Sequence, residues 1–116
     1  MTLQEIVDEL DLRIRAGASR LAAPVGGGYA SDLLSAVMAH ATPEDLWITL
    51  QTHQNIVAVA VVKELAGIVV VNGREPDEDT VVKAEEEGVP LLTSDLDTFE
   101  VAGRLYPIRL SSSKRS

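Results

Sequence analysis

The sequence contains no cysteine, which excludes disulfide bridges, iron–sulfur ligation and thiol nucleophiles. Aromatic residues are scarce at 3 %, although 46 % of the chain is hydrophobic. A core must therefore be built from Val, Leu, Ile and Ala, which suits an α/β sandwich better than an aromatic-stacked barrel. Positive charge is also short: the formal net charge is −8. Phosphate backbones need a basic stripe, so nucleic acid is excluded as the main partner, and an anionic membrane surface with it. No apolar run reaches a bilayer span, because Lys63-Glu64 interrupts the longest one. Met1–Leu10 is amphipathic and acidic, unlike a secretory leader. The expectation is a soluble cytoplasmic domain spanning residues 1–110, with 111–116 (SSSKRS) as a frayed, disordered tail.

Catalytic constellations are missing as well. Gly26-Gly27-Gly28 lacks the Walker lysine and hydroxyl, and is not the spaced glycine run of a dinucleotide fold; it reads as a break in regular structure. Serine-hydrolase motifs are absent. His40 and His53 fall in different elements, and Asp95 with Asp97 lacks the glycine and terminal glutamate of a calcium loop. No metal, no cofactor and no enzymatic activity are expected.

What is present centres on Leu46–Gly73. Leu46–Leu50 reads as a strand opening into Gln51-Thr52-His53-Gln54-Asn55, and Gly67–Val71 as a second strand buried on both faces. Ile56–Ala66 between them admits two readings, since Val57, Val59 and Val61 alternate as in a strand. A helix is favoured, because Asn55 is a good N-cap and parallel strands need a long crossover. The unit is then βαβ.

Before it, Thr2-Leu3-Gln4-Glu5 has capping-box spacing, and Leu3, Ile6, Val7 and Leu10 share a helical face. Asp11–Ala16 alternates as a half-exposed strand, and Ala18–Val25 reads as loop with a partial helical turn. Ser31 or Asp32 is placed to cap a helix carrying Leu33, Leu34, Val37 and Met38, which ends near His40-Ala41. After the centre comes a helix over 78–87 with Gly88 as C-cap, a strand Val89–Thr93, and a last helix from Thr98 to about Leu105.

In an open parallel sheet, ligands bind beyond the carboxyl ends of the strands. Here those ends are polar and should converge on one rim: Gln51, Thr52, His53 and Asn55; Asn72, Gly73 and Arg74; Thr93 and Ser94. His53 is the rim's one imidazole, yet a lone histidine supplies neither nucleophile nor metal set, so ligand hydrogen bonding or a plain structural role fits it better than catalysis. Arg74 suits a phosphate or carboxylate, or else pairs with Glu75 or Asp77. His40 complements a helix C-terminus, and Trp47 reads as core or interface. Ile56–Ala66 is apolar on nearly every side until Lys63, more than a sheet can cover, which points to a homodimer through this region.

From about Gly28 to Tyr106 the chain resembles the DRTGG domain family. The segments that carry the resemblance are YASDLLSAVMAHA, LWITLQTHQNIVAVA and AGIVVVNGREPDEDTVVKAEEEGVPLLTSDLDTFEVAGRL. The closing pattern, with Asn72-Gly73, an acidic helix, Gly88–Thr93 and then Asp97-Thr98-Phe99, is similar to the end of the amino-terminal domain of HPr kinase/phosphorylase, and distantly to the first domain of Mur ligases. The resemblance implies a three-layer, mainly parallel α/β fold in a regulatory appendage, as found beside CBS modules, a pyrophosphatase or acetyl-transfer enzymes. It implies no kinase activity, because that belongs to a separate P-loop domain. The name-giving acidic-arginine motif is replaced here by Gln51–Asn55. The leading expectation is a non-catalytic sensor of a small anionic metabolite, with an adenine nucleotide as candidate. The alternatives are a protein-binding scaffold for a redox or hydrogenase-type enzyme complex, and, more distantly, a small enzyme using His53.

Overall fold

The computed structural model describes the backbone of residues 1–113 and the side chains of residues 1–108. In chain order the elements are α1 (Leu3–Leu10), β1 (Arg13–Ala16), a 3-10 turn (Ala18–Arg20), β2 (Gly27–Ala30), α2 (Leu34–His40), β3 (Asp45–Thr49), α3 (Asn55–Lys63), β4 (Gly67–Val70), α4 (Glu78–Glu87), β5 (Leu91–Thr93) and α5 (Thr98–Ser113). The sheet has five strands in the order β1-β5-β4-β3-β2. All neighbours run parallel except β1, which lies antiparallel on β5 with Arg13 opposite Thr93.

Strand alternation divides the core into two layers. Leu46, Ile48, Val69 and Leu92 face α1 and α5, which contribute Leu3, Ile6, Val7, Val101 and Leu105. Trp47, Ile68, Val70 and Leu91 face α2, α3 and α4, which contribute Val37, Ile56, Val57 and Ala84. The result is the expected three-layer α/β sandwich. Trp47 is fully buried and donates its indole N–H to the Ser31 carbonyl at 2.8 Å, so it is a core residue. The capping box forms as read: the Glu5 amide donates to Thr2 Oγ1, and the Thr2 amide to Glu5 Oε1.

The central unit is a parallel crossover, with Leu46 paired to Gly67 and Ile48 to Val69. The extended alternative for 56–66 is thereby excluded. Its boundaries shift, however. Gln54 precedes the first helical turn without a side-chain cap, and Asn55 is already helical. The helix closes at Lys63 because Glu64 turns left-handed at φ 56 and the Leu65 amide reaches back to the Ala60 carbonyl.

Three other expectations need correction. The triple glycine is no break: Gly27 and Gly28 belong to β2, an edge strand. Glycine serves close packing there, since a Cβ on Gly28 would lie 2.9 Å from Leu105 Cδ2. Neither Ser31 nor Asp32 caps α2, whose flanking residue is Leu33. Instead, the Asp32 carboxylate accepts from the Leu50 amide at 2.7 Å and from Thr49 Oγ1 at 3.1 Å. Finally, α5 continues past Leu105, through Pro107, to Ser113, three residues into the segment read as a tail; residues 114–116 lie outside the described residues.

Candidate functional site

The helices after β2, β3 and β4 pack on one face of the sheet, whereas α5, after β5, packs on the other. Connections that diverge in this way open a crevice at the carboxyl ends of the strands. The structure has a cavity there, of about 440 Å³, between the end of β5, the start of β1, the end of α1 and the side of α5. Leu10, Asp11, Arg13, Ser94, Asp95, Leu96 and Arg104 line it.

Arg13 organises this cavity. Its guanidinium meets Asp95 through two contacts, Nη2 to Oδ1 at 3.0 Å and Nη1 to Oδ2 at 3.4 Å, while Nε donates to Thr93 Oγ1 at 3.3 Å. The hydrogen bond and the charge of Arg13 hold the Asp95 carboxyl below the usual aspartate range, and Asp95 raises Arg13 in return. Arg104 is paired with Glu100 at 3.2 Å. The cavity thus presents two arginines, each paired with an exposed carboxylate.

Thr93 and Ser94 are buried at this place: Thr93 holds Arg13, Ser94 lines the cavity, and Ser94 Oγ accepts from the Leu96 amide at 3.1 Å. Most of the other rim residues follow the same strand ends but are engaged in local hydrogen bonds. Asn72 and Gly73 both have positive φ, and the Arg74 amide donates to Val71, the geometry of a type I′ turn. Their own amides donate to Leu96 at 2.7 Å and Ser94 at 2.9 Å, so neither is free for an anion. Gln51 Nε2 donates to the Asp32 carbonyl at 2.8 Å. The Thr52 carbonyl accepts from Thr80 Oγ1 at 2.6 Å and from the Asp77 amide, tying this loop to the start of α4. His53 Nδ1 accepts from the Asn55 amide at 3.1 Å. Arg74 is exposed and pairs with neither Glu75 nor Asp77; Glu75 pairs instead with Arg15.

The residues missed from sequence are Arg13 and Arg104. Arg13 is 80 positions from Thr93, and only the antiparallel pairing of β1 with β5 joins them. Its alternation with Leu12, Ile14 and Arg15 marked a strand, but nothing local named the neighbour.

A second cavity, of about 320 Å³, opens at the amino ends of the strands, with Arg20, Glu44, Glu64 and Glu87 as its charged lining residues. It lies at the C-termini of α3 and α4, so carboxylates and helix dipoles alike repel an anion. Among the described residues, no cluster of three His, Asp or Glu side chains is placed to hold a metal, and no helix is long and apolar enough to cross a membrane.

No curated protein matches the chain. Among solved structures, it is similar to the CBS and DRTGG domains of the regulatory region of Clostridium perfringens pyrophosphatase, complexed with the activator diadenosine tetraphosphate. The TM-score is 0.69 at 17 % identity over 87 % of this chain, which spans 44 % of that neighbour. The family model for the DRTGG domain matches residues 5–107, nearly the whole chain. With that match and this sheet order together, the chain belongs to the DRTGG domain family.

Proposed function

We propose that this domain is a non-catalytic regulatory module that binds a small anionic metabolite at the carboxyl edge of its sheet, an adenine nucleotide being the first candidate. One observation carries the reading: the cavity beside β5 presents Arg13 and Arg104 where the helices diverge. The similar pyrophosphatase region, complexed with diadenosine tetraphosphate, supports a nucleotide as the class to test first.

The same geometry supplies a relay. An anion that takes Arg13 from Asp95 releases the 94–96 segment, whose carbonyls hold the Asn72 and Gly73 amides ahead of α4. Thermal-shift measurements with ATP, AMP, diadenosine tetraphosphate and inorganic phosphate test the reading. A rise in Tm with a nucleotide, lost in Arg13→Gln and Arg104→Gln, supports it; no shift with any of them overturns it.

A homodimer through the 56–66 region has its own support. Ala58, Val61 and Val62 form an i, i+3, i+4 stripe on α3, and all three are exposed. Exposed Met38 on α2 and Val82 on α4 belong to the same helical layer. Sedimentation should give a dimer that Val62→Glu dissociates. A wild-type monomer with no nucleotide shift would favour the scaffold reading, in which this stripe holds an enzyme partner.

A further inference from the structure

The two edges of the sheet are finished differently. β1 carries Arg13 and Arg15 and slips register between Ile14 and Ala16 against β5. Charge and a bulge are the usual guards against strand addition. β2 has neither: Gly27–Ala30 is uncharged, pairs among the described residues with β3 alone, and keeps a regular register from Gly27 to Ala30.

The free side of β2 can be identified. The Ser31 amide donates to the Ile48 carbonyl at 3.1 Å, so by strand alternation Tyr29 also points its amide toward β3. Gly28 and Ala30 then point theirs outward, and both residues are exposed. Beside them a small apolar groove of about 100 Å³ lies between β2 and α5, bounded by Tyr29, Ala102, Leu105 and Tyr106. α5 also exposes the only phenylalanine in the chain, Phe99, at 88 %, and Tyr106 at 57 %. Of the two, Tyr106 lines the groove beside the open strand, and an aromatic side chain left in water there is typical of a contact surface.

We infer that β2 is a strand-addition site for an extended segment of a partner protein, with one aliphatic side chain entering the groove under Tyr106. An extended backbone is the occupant whose carbonyls match outward amides at alternate positions, replacing the water that otherwise bonds to them. The net charge of −8 favours a segment with basic flanks. The inference is independent of the proposed anion cavity, which lies at the other side of the sheet beside β1 and β5.

The probe is a short synthetic peptide of alternating valine and threonine with lysine at each end, titrated while amide exchange is followed residue by residue. Slowed exchange at Gly28 and Ala30 supports the inference. So does affinity falling about tenfold in Ala30→Pro, which removes one outward donor. Ala30→Lys, a surface change that leaves the backbone intact, should weaken binding of this cationic peptide as well. Failure to bind, unaltered affinity in both variants, or protection confined to α3 overturns it. Concentration-dependent protection of Gly28 and Ala30 without peptide would overturn the occupant, because a second copy would then be adding its own β2.

Discussion

The carboxylate of Asp32 sits 2.7 Å from the Leu50 amide and 3.1 Å from Thr49 Oγ1, fastening the end of β2 to the end of β3. Thr49 is fully buried. Asp32→Ala strands its hydroxyl donor and should cost about 1–3 kcal/mol. Asp32→Asn, which retains one acceptor oxygen, should cost less. Urea denaturation of the two variants checks the order.

Trp47 is the only tryptophan and has no solvent exposure. Trp47→Phe leaves the Ser31 carbonyl without its indole partner and opens a void beside Val37 and Ile56. A loss of about 2–4 kcal/mol is expected, read from the denaturation midpoint.

Two glycines should respond differently to alanine. A Cβ at Gly17 would fall 2.5 Å from the backbone of Val89 and Pro90, at φ +75. Backbone cannot swing aside, so Gly17→Ala should cost about 2–4 kcal/mol. At Gly28 the obstacle is a terminal methyl of Leu105, which can rotate, so Gly28→Ala should cost about 1 kcal/mol or less.

Asp95 has a folded-state pKa below its ordinary value because of Arg13. A lowered carboxylate contributes stability above the unfolded pKa, and that contribution is lost as pH falls through the folded value. Wild type should therefore exceed Asp95→Asn slightly above about pH 4, with the gap closing in more acidic solution. Both partners are exposed, so the effect is small and screened by salt. A gap that persists at low pH would mean the amide disturbs something other than the ion pair.

Much of this fold was legible in the sequence because local signals agreed with one another. The Thr2 capping box, the Gly88 cap and the runs Leu46–Leu50 and Gly67–Val71 each name their own structure, the two strands being observed over Asp45–Thr49 and Gly67–Val70. β2 was not legible, since glycines that permit close helix packing look the same as glycines that break a chain. Asp32 looked like a helix cap because its bond to Leu50 closes a span of 18 positions. The segments after β3, β4 and β5 follow parallel neighbouring strands, but the cavity beside them was not legible, because Arg13 arrives from the antiparallel strand at the start of the chain. His53, the obvious residue by chemistry, is held by its neighbour Asn55 and does not line that cavity.

The most direct test follows amide and arginine side-chain NMR signals during an ATP titration. Binding beside β5 predicts the largest changes at Arg13 Nε, Ser94, Asp95 and Leu96, with smaller ones passing to Asn72 and Gly73. Changes confined to Glu44, Glu64 and Glu87 at the opposite edge, or none at millimolar ATP, would contradict it.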